Sequence, residues 1–187
     1  FFDDDMIKSN RSFSITKLKN NVKILDSFIF KEEELLIILT SLGRIFKFYL
    51  SNKYIVPTTK QSQGLVLTKL LPKEKIVSCC TSTSKEKLYL ISQKGKIFGI
   101  NNSEVYFSDD AKLGFLNEKT QLKNDTFIKI IPENLFIDIE TNKNKSARLN
   151  IDIFNHQSNK SFFLKDFLNL DKDEYLINCF CLDNFLD

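Results

Sequence analysis

Glycine, proline and tryptophan are scarce in this chain, which has five glycines, three prolines and no tryptophan in 187 residues. That scarcity excludes collagen-like and low-complexity classes, and an apolar fraction of 42% predicts a folded chain. Long apolar runs are also missing, because the longest aliphatic run, residues 35–39, is far short of the ~20 residues that span a bilayer. No charged leader followed by an apolar stretch opens the chain. We therefore expect no membrane partner and no secretion signal.

Cysteine and histidine are sparse as well. Neither Cys79-Cys80 nor Cys179 with Cys181 has the two-residue gap of a zinc knuckle, and the single histidine, His156, lies far from both. We expect reduced, buried thiols on strands of a cytosolic protein, and no metal site. The chain also has no glycine-rich phosphate loop and no histidine beside a nucleophile. The domain itself is therefore expected to be non-catalytic.

One short pattern occurs twice. LTSLGRIFKF, residues 39–48, is repeated as ISQKGKIFGI, residues 91–100, with Gly43 and Gly95 standing 52 positions apart. Each copy consists of an apolar run, a few polar residues, a glycine, a basic residue and Ile-Phe. This order predicts a strand, a tight turn and a second strand, which together form a β-hairpin.

A third, weaker copy is LFIDIETNKNKSARL, residues 135–149. Asn142 or Asn144 stands where the other copies have glycine, and asparagine is the next-best residue for a left-handed turn position.

A second element lies between the hairpins and keeps nearly the same period. It begins at a small residue, continues through an apolar stretch and ends in a charged turn before another apolar strand. Its copies begin at Ser12, Gly64, Gly114 and Ser161, at intervals of 52, 50 and 47 residues.

A period near fifty with about four strands per unit predicts an all-β propeller of four-stranded antiparallel blades, about three to four in this chain. We expect a single, partial domain over 1–187, with approximate repeats at 1–34, 35–86, 87–134 and 135–187. An ordinary antiparallel sandwich is the alternative. Only in FFLKDFLNL, residues 162–170, does the spacing of apolar residues fit a helix as well as a strand.

The best copy of the repeat, residues 35–77, resembles a blade of the C-terminal β-pinwheel of bacterial type IIA topoisomerases, in the A subunits of DNA gyrase and topoisomerase IV. The matching positions are Gly43-Arg44, Lys47, Tyr54, Pro57 and Lys60 to Gly64 leading into Leu65-Val66-Leu67. Residues 87–98 are a second good match. The last sixty residues match only in the spacing of their repeated segments.

Two departures from that family stand out. Gyrase pinwheels carry a glycine- and arginine-rich box, whereas the corresponding loop here is KQSQG, residues 60–64. The family's ring has five or six blades, so we expect this chain, which begins at Phe1, to be a fragment with further blades upstream. The sequence does not distinguish gyrase from topoisomerase IV or a degenerate paralogue.

The resemblance implies a function in non-sequence-specific binding, bending or wrapping of double-stranded DNA. The domain would present a DNA segment for ATP-dependent strand passage by a type II topoisomerase, an isomerase. Its partners would be DNA, the ATPase B subunit, and the rest of the topoisomerase polypeptide, in the bacterial cytoplasm at the nucleoid. The domain would hold no cofactor, while the parent complex uses ATP and Mg. The alternative is a propeller that binds proteins and has no DNA affinity.

Charge is distributed unevenly. No acidic residue lies between Glu34 and Glu74, a stretch with six basic residues, whereas residues 162–187 hold two lysines against six acids. Such asymmetry predicts one basic face. The hairpin turns and blade loops are expected on the rim, where basic side chains contact phosphates. The predicted DNA contacts are Arg44, Lys47, Lys53, Lys60, Lys69, Lys94 and Lys96. Lys143, Lys145 and Arg148 are expected to be ordinary solvated surface, because acids near them cancel their charge.

Overall fold

The computed structural model describes residues 18–19, 22–28, 33–50, 65–108, 114–116, 121–133, 136–151, 162–164 and 168–181. Within these ranges the regular structure is ten β-strands and one short 3₁₀ turn, Asn102–Glu104. The strands are β1 (Leu35–Thr40), β2 (Ile45–Tyr49), β3 (Ile76–Ser82), β4 (Lys87–Ser92), β5 (Lys96–Asn101), β6 (Phe127–Pro132), β7 (Phe136–Thr141), β8 (Ser146–Asn150), β9 (Phe162–Phe163) and β10 (Leu176–Cys181). The all-β prediction is confirmed.

The strands form three antiparallel sheets, each built around one of the predicted hairpins. Sheet A has the order β2-β1-β3, sheet B the order β6-β4-β5-β9, and sheet C the order β10-β7-β8. Equivalent cross-strand pairs keep one register in the three hairpins: Ile38 with Phe46, Leu90 with Phe98, and Ile139 with Ala147. Sheet B has the predicted four strands, whereas sheets A and C have three each in the described part of the chain.

A residue with positive φ closes each hairpin turn. The φ angles are 84° at Gly43, 78° at Gly95 and 59° at Asn144. Each of these residues donates its N–H to the carbonyl three positions back, at 3.0 Å in every turn. Glycine has no Cβ to hinder this conformation, and asparagine tolerates it better than most other residues. Asn144, rather than Asn142, is therefore the counterpart of the two glycines.

The second recurring element supplies the outermost strand of the preceding sheet. Phe115, which follows the second hairpin, exchanges backbone hydrogen bonds of 2.8 and 2.6 Å with Ile45 of sheet A. Strand β9, which follows the third hairpin, pairs with β5 of sheet B, with Ile97 opposite Phe162. Sheets A and B thus each combine segments from two consecutive predicted repeats.

Hydrophobic side chains from neighbouring sheets form the core. One cluster joins sheets A and B, with Ile37 and Leu39 packed among residues that include Leu90. A second cluster joins sheets B and C, where Ile91 and Ile137 are buried together. Strands β1 and β4 are buried along nearly their whole length because side chains on both faces pack, as their continuous apolar runs predict.

Two smaller sequence predictions concern residues 162–170 and the cysteines. Phe162–Phe163 is a strand, and one helical hydrogen bond follows it, from Leu168 N–H to the Leu164 carbonyl at 2.7 Å. Cys79, Cys80 and Cys179 are free thiols on strands. Burial, with a smaller effect of the Asp26 carboxylate, raises the pKa of Cys79 to about 11, so its thiol is protonated at neutral pH.

Candidate nucleic-acid interface

Arg44 follows the first hairpin turn, and its side chain is directed into the protein. It is 6% exposed. Its Nε donates to Glu74 Oε1 at 2.8 Å, its Nη2 donates to Oε2 of the same carboxylate and to the Lys69 carbonyl at 3.0 Å, and its Cζ lies 5.0 Å from the centre of the Phe46 ring. The prediction that Arg44 stands exposed on the rim is wrong. The bidentate pair with Glu74 and the ring beneath it hold this guanidinium inside.

The same arrangement occurs in sheet C about a hundred residues later. Lys145 Nζ donates to Glu174 Oε2 at 2.8 Å and to the Asn169 carbonyl at 3.1 Å. Thr141 Oγ1 donates to Glu174 Oε1 at 2.7 Å. The basic residue after the turn therefore recurs because it ties the hairpin to the loop before the third strand.

Sheet B contains a shortened version of this arrangement. Asp125 stands where the other sheets have glutamate, and its Oδ1 accepts the Lys94 N–H at 3.1 Å. Asp125 Oδ2 is buried without a hydrogen-bond partner among the described residues. Lys96, the counterpart of Arg44, is half-buried, and its N–H donates to Ser92 Oγ at 2.9 Å. Lys96 is thus only partly available to a ligand.

Lys47 is buried more deeply, with 3% of its surface exposed. Its ammonium donates to the carbonyls of Asn102 at 2.8 Å and Val105 at 3.2 Å, and it lies 4.7 Å from the centre of the Phe107 ring. Burial lowers the pKa of Lys47. The prediction that Lys47 is an exposed rim cation is therefore wrong, because this side chain joins sheet A to the segment after β5.

The acids that hold the turns are strongly ionised. Burial alone would raise the pKa of Glu74, but hydrogen bonds from Arg44, the Leu71 N–H and Thr40 outweigh it and lower that pKa to about 2. Hydrogen bonds from Lys145 and then Thr141 lower the pKa of Glu174 to about 2. Both carboxylates are charged throughout the physiological range.

The three hairpin turns and the loops before β3, β6 and β10 lie side by side along one edge of the stack, called here the turn edge (residues 41–44, 69–75, 92–96, 121–126, 141–145 and 169–175). Within each sheet a turn N–H donates to a loop carbonyl: Ser41 to Lys75 at 2.8 Å, Gln93 to Thr126 at 2.8 Å and Asn142 to Tyr175 at 3.0 Å. Between sheets, Thr126 Oγ1 donates to the Ser41 carbonyl at 3.2 Å, and Leu176 N–H donates to the Gln93 carbonyl at 2.8 Å. The turn edge is therefore continuous from sheet A to sheet C.

Five exposed lysines occupy the turn edge of sheets A and B. This lysine row comprises Lys69, Lys73, Lys75, Lys94 and Lys123. None of the five forms an ion pair with a described residue. The two acids on the same part of the edge, Glu74 and Asp125, are turned inward to the hydrogen bonds given above. The outward charge of this region is therefore positive.

The turn edge of sheet C is neutralised. Lys143 Nζ lies 2.8 Å from Asp173 Oδ1 and 3.0 Å from Asp171 Oδ2, and these pairs raise the pKa of Lys143 to about 12. Arg148, away from this edge, pairs with Asp138 at 2.8 Å. The charges of Lys143, Lys145 and Arg148 are cancelled, as predicted, but only Arg148 pairs with an acid close to it in sequence. Lys143 and Lys145 pair instead with Asp171, Asp173 and Glu174 of the loop before β10, and Lys145 is a structural contact rather than ordinary solvated surface.

Of the predicted contact residues, the structure brings only Lys69 and Lys94 together as exposed members of the lysine row. Lys53 and Lys60 lie outside the described residues. Sequence reasoning does not single out Lys73, Lys75 or Lys123. The signal that could have found them is the charged turn that ends each copy of the second element, where these lysines stand.

Other kinds of site find no support in the described ranges. No three His, Cys, Asp or Glu side chains there converge as ligands for a metal ion. No helix in those ranges has the length and hydropathy of a membrane span.

Two of the solved structures that are similar to this chain show the fold to which it belongs. The C-terminal domain of DNA gyrase A aligns with a TM-score of 0.54 and 24% identity, over 65% of this chain and 39% of that chain. The C-terminal domain of DNA topoisomerase IV aligns with a TM-score of 0.65 and 17% identity, over 78% of this chain and 46% of that chain. This chain thus spans less than half the length of either. No family model and no curated protein matches it. The likeness confirms the β-pinwheel fold that the sequence resemblance implied.

Proposed function

We propose that this chain is the DNA-binding accessory domain of a type IIA topoisomerase, and that it holds and bends duplex DNA without reading its sequence. The single observation that carries this proposal is the lysine row. Its five exposed amines lie along a continuous edge, and the nearby acids are directed away from solvent. Lysines of this kind contact phosphates and release counterions, which gives affinity without base specificity.

The fold supports the rest of the proposal. The two similar structures reported above are C-terminal domains of gyrase A and of topoisomerase IV. In such an enzyme the lysine row would hold a DNA segment beside the strand-passage gate. The B subunit would use ATP and Mg, and this domain would hold no cofactor. The cytoplasm, at the nucleoid, is the corresponding location.

A protein-binding propeller remains the second candidate, and exposed aromatic side chains favour it. Tyr49 stacks on Phe107, with ring centroids 4.1 Å apart, and both rings are partly open to solvent. The neighbouring Tyr106 is 73% exposed. Exposed aromatic side chains are enriched at protein interfaces. This aromatic group lies away from the turn edge, so substitutions can separate the two functions.

Charge reversal on the lysine row tests the DNA-binding proposal. The variant Lys73→Glu/Lys94→Glu/Lys123→Glu should bind a fluorescent 40-base-pair duplex at least about tenfold more weakly at 0.1 M salt, because three phosphate contacts become repulsive. Fluorescence anisotropy measures the affinity, and far-UV circular dichroism checks the fold.

The matched single variants are Lys94→Glu and Lys85→Glu. Lys85 is exposed in the turn before β4, at the end of that strand opposite Lys94. Both changes alter the net charge equally, but only Lys94 belongs to the lysine row. Only Lys94→Glu should therefore weaken DNA binding. Equal losses would mean that net charge alone attracts DNA. Undiminished binding by the triple variant would contradict the proposal, and binding of a protein through Tyr49 and Tyr106 would then be the better interpretation.

A further inference from the structure

The third hairpin turn carries a lysine at the same position as the second. The residue before the positive-φ position of each turn is Leu42 in sheet A, Lys94 in sheet B and Lys143 in sheet C. All three are exposed, and Lys94 is a member of the lysine row. The ammonium of Lys143, by contrast, contacts the carboxylates of Asp171 and Asp173 at 3.0 and 2.8 Å. Two lysines at one structural position thus have different electrostatic surroundings.

The difference originates in the loops before β3, β6 and β10. Each loop offers one carbonyl to a turn N–H, as given above, and this bond aligns the three loops residue by residue. Two positions before that carbonyl, the residue is Lys73 in sheet A, Asn124 in sheet B and Asp173 in sheet C. One position of the loop is therefore basic in the first sheet, neutral in the second and acidic in the third.

Asp171 is a second acid that the other two loops lack. Its N–H donates to Glu174 Oε2 at 3.0 Å, just as the Leu71 N–H donates to Glu74 Oε2 at 2.7 Å. Asp171 therefore stands where sheet A has a leucine. The glutamate of each pair belongs to the arrangement that fastens the turn, whereas the two aspartates around Lys143 are additions to it.

These additions balance the charge on the turn edge of sheet C. That part of the edge holds three basic and three acidic residues, whereas sheets A and B have four and three basic residues there, with one acid each. The side chains of Asp171 and Asp173 are 60% and 78% exposed, and a hydrogen bond from Lys143 lowers the pKa of Asp173. A phosphate that approached Lys143 would therefore meet two carboxylates around one ammonium.

We propose that Asp171 and Asp173 set the end of the DNA site, an inference that rests on the proposed function. The duplex contacts the turn edge of sheets A and B and leaves that edge before sheet C, because the two carboxylates occupy Lys143 and repel phosphates. Their effect is local, since opposing charges are largely screened beyond about 10 Å at 0.1 M salt. Without them, Lys143 would extend the lysine row to sheet C.

Removal of the two carboxylates tests this proposal as a gain of binding. Asp171→Asn/Asp173→Asn keeps the size of both side chains and should bind the same fluorescent duplex at least about fivefold more tightly at 0.1 M salt, because Lys143 gains a phosphate contact. The control, Glu104→Gln/Glu133→Gln, changes the net charge equally. These two glutamates follow β5 and β6, at the ends of six-residue strands away from the turn edge, about 20 Å from it. The control should tighten binding less than about twofold.

The two equivalent lysines give a matched pair of losses. In the unsubstituted protein, Lys94→Gln should weaken DNA binding at least about threefold, because it removes a phosphate contact. Lys143→Gln should change the affinity less than about twofold, because DNA does not reach that ammonium. When Lys143→Gln is added to the double aspartate variant, it should abolish the gain in affinity.

Lysine acetylation locates the contact directly. Mass spectrometry compares the extent of acetylation at each lysine with and without the duplex. In the unsubstituted protein, DNA should protect Lys73, Lys94 and Lys123, and it should leave the acetylation of Lys143 unchanged. In the double aspartate variant, DNA should protect Lys143 as well. Circular dichroism checks that every variant is folded.

Three results would overturn the proposal. Equal gains in the aspartate and glutamate variants would mean that net charge alone governs affinity. A gain that survives Lys143→Gln would exclude that lysine as its source. Protection of Lys143 by DNA in the unsubstituted protein would mean that the duplex already reaches sheet C. These results leave the proposed function standing as long as Lys94→Gln weakens binding, whereas an absence of DNA binding by both the unsubstituted protein and the aspartate variant would overturn the two together.

Discussion

Arg44 and Glu74 form a bidentate ion pair that fastens the first hairpin turn to the loop before β3, with Arg44 Nε 2.8 Å from Glu74 Oε1. Lys145 and Glu174 form the corresponding pair in sheet C, at 2.8 Å. The loop carbonyls that accept the second bond of each cation, from Lys69 and Asn169, also correspond. The basic residue after the turn thus has a structural role. This role explains why it recurs, and no contact with DNA is needed to explain it.

Removing the Arg44 guanidinium should destabilise the fold. Arg44→Met leaves the Glu74 carboxylate buried without its cation, which costs about 3–5 kcal/mol of unfolding free energy. Urea unfolding followed by far-UV circular dichroism measures the loss. The double variant Arg44→Met/Glu74→Leu should recover most of it, because no charge remains buried. A loss below about 1 kcal/mol in the single variant would contradict a structural role.

Acid should weaken the fold through the same glutamates. The pKa values of Glu74 and Glu174 are about 2 in the folded protein, against an ordinary value of 4.5. The unfolded chain therefore binds more protons as the pH falls through this window, and the unfolding free energy decreases from about pH 4.5 down to about pH 2. Thermal melts at about pH 7, 4 and 3 measure this decrease. Glu74→Gln should have a lower melting temperature at neutral pH and a shallower dependence on pH, and an unchanged dependence would exclude Glu74 as a source.

The sequence predicted the hairpins correctly because two constraints act within a few residues. A turn that needs positive φ selects Gly43, Gly95 and Asn144, and strands buried on both faces require continuous apolar runs. The exchange of the outermost strand could not be predicted in this way. Phe115 and Ile45 are about seventy positions apart, and nothing local in either segment specifies the other.

The candidate site was predicted less well, because charge along the chain does not show which way a side chain points. Arg44 and Lys47 follow a polar turn and are basic, a pattern typical of surface cations. Glu74 and the carbonyls of Asn102 and Val105, all distant in sequence, hold them inside. Lys123 shows the opposite error, because an acid in its own loop suggests that its charge is cancelled. That acid, Asp125, instead turns inward and leaves the lysine exposed.

Removing the Lys47 ammonium should loosen the connection between sheet A and the segment after β5. Lys47→Met leaves the Asn102 and Val105 carbonyls without their donor, at a cost of about 1–3 kcal/mol. Hydrogen exchange should accelerate at Ser108, whose N–H donates to the Lys47 carbonyl at 2.9 Å. DNA affinity of the folded variant should stay within twofold of the unsubstituted protein. A larger loss of DNA affinity would mean that Lys47 contributes to DNA binding after all.

Alanine in the first hairpin turn should destabilise the protein. At Gly43 the φ is 84°, and a Cβ would lie 2.8 Å from Phe127 Cε2 of the neighbouring sheet. Gly43→Ala therefore incurs the left-handed penalty of about 1–2 kcal/mol, with the cost of displacing the ring in addition. Gly99→Ala is the control, because a Cβ there would meet Tyr89 only at an ordinary contact distance of 3.4 Å. Urea unfolding compares the two, and equal stabilities would mean that the turn adapts to a side chain.

The lysine row should determine how steeply DNA binding depends on salt. Each lysine that neutralises a phosphate contributes about 0.9 to the slope of log K against log salt. The variant Lys73→Gln/Lys94→Gln/Lys123→Gln removes three such charges, so its slope should be shallower by up to about 2–3. Anisotropy titrations from about 50 to 300 mM salt, the range in which phosphate contacts lose most of their affinity, measure both slopes. Lys85→Gln serves as the control and should keep the original slope, because its exposed amine lies at the other end of β4 from the turn edge. If the triple variant keeps that slope as well, these lysines do not contact phosphates, and the affinity of the chain for DNA, if any, arises elsewhere on its surface.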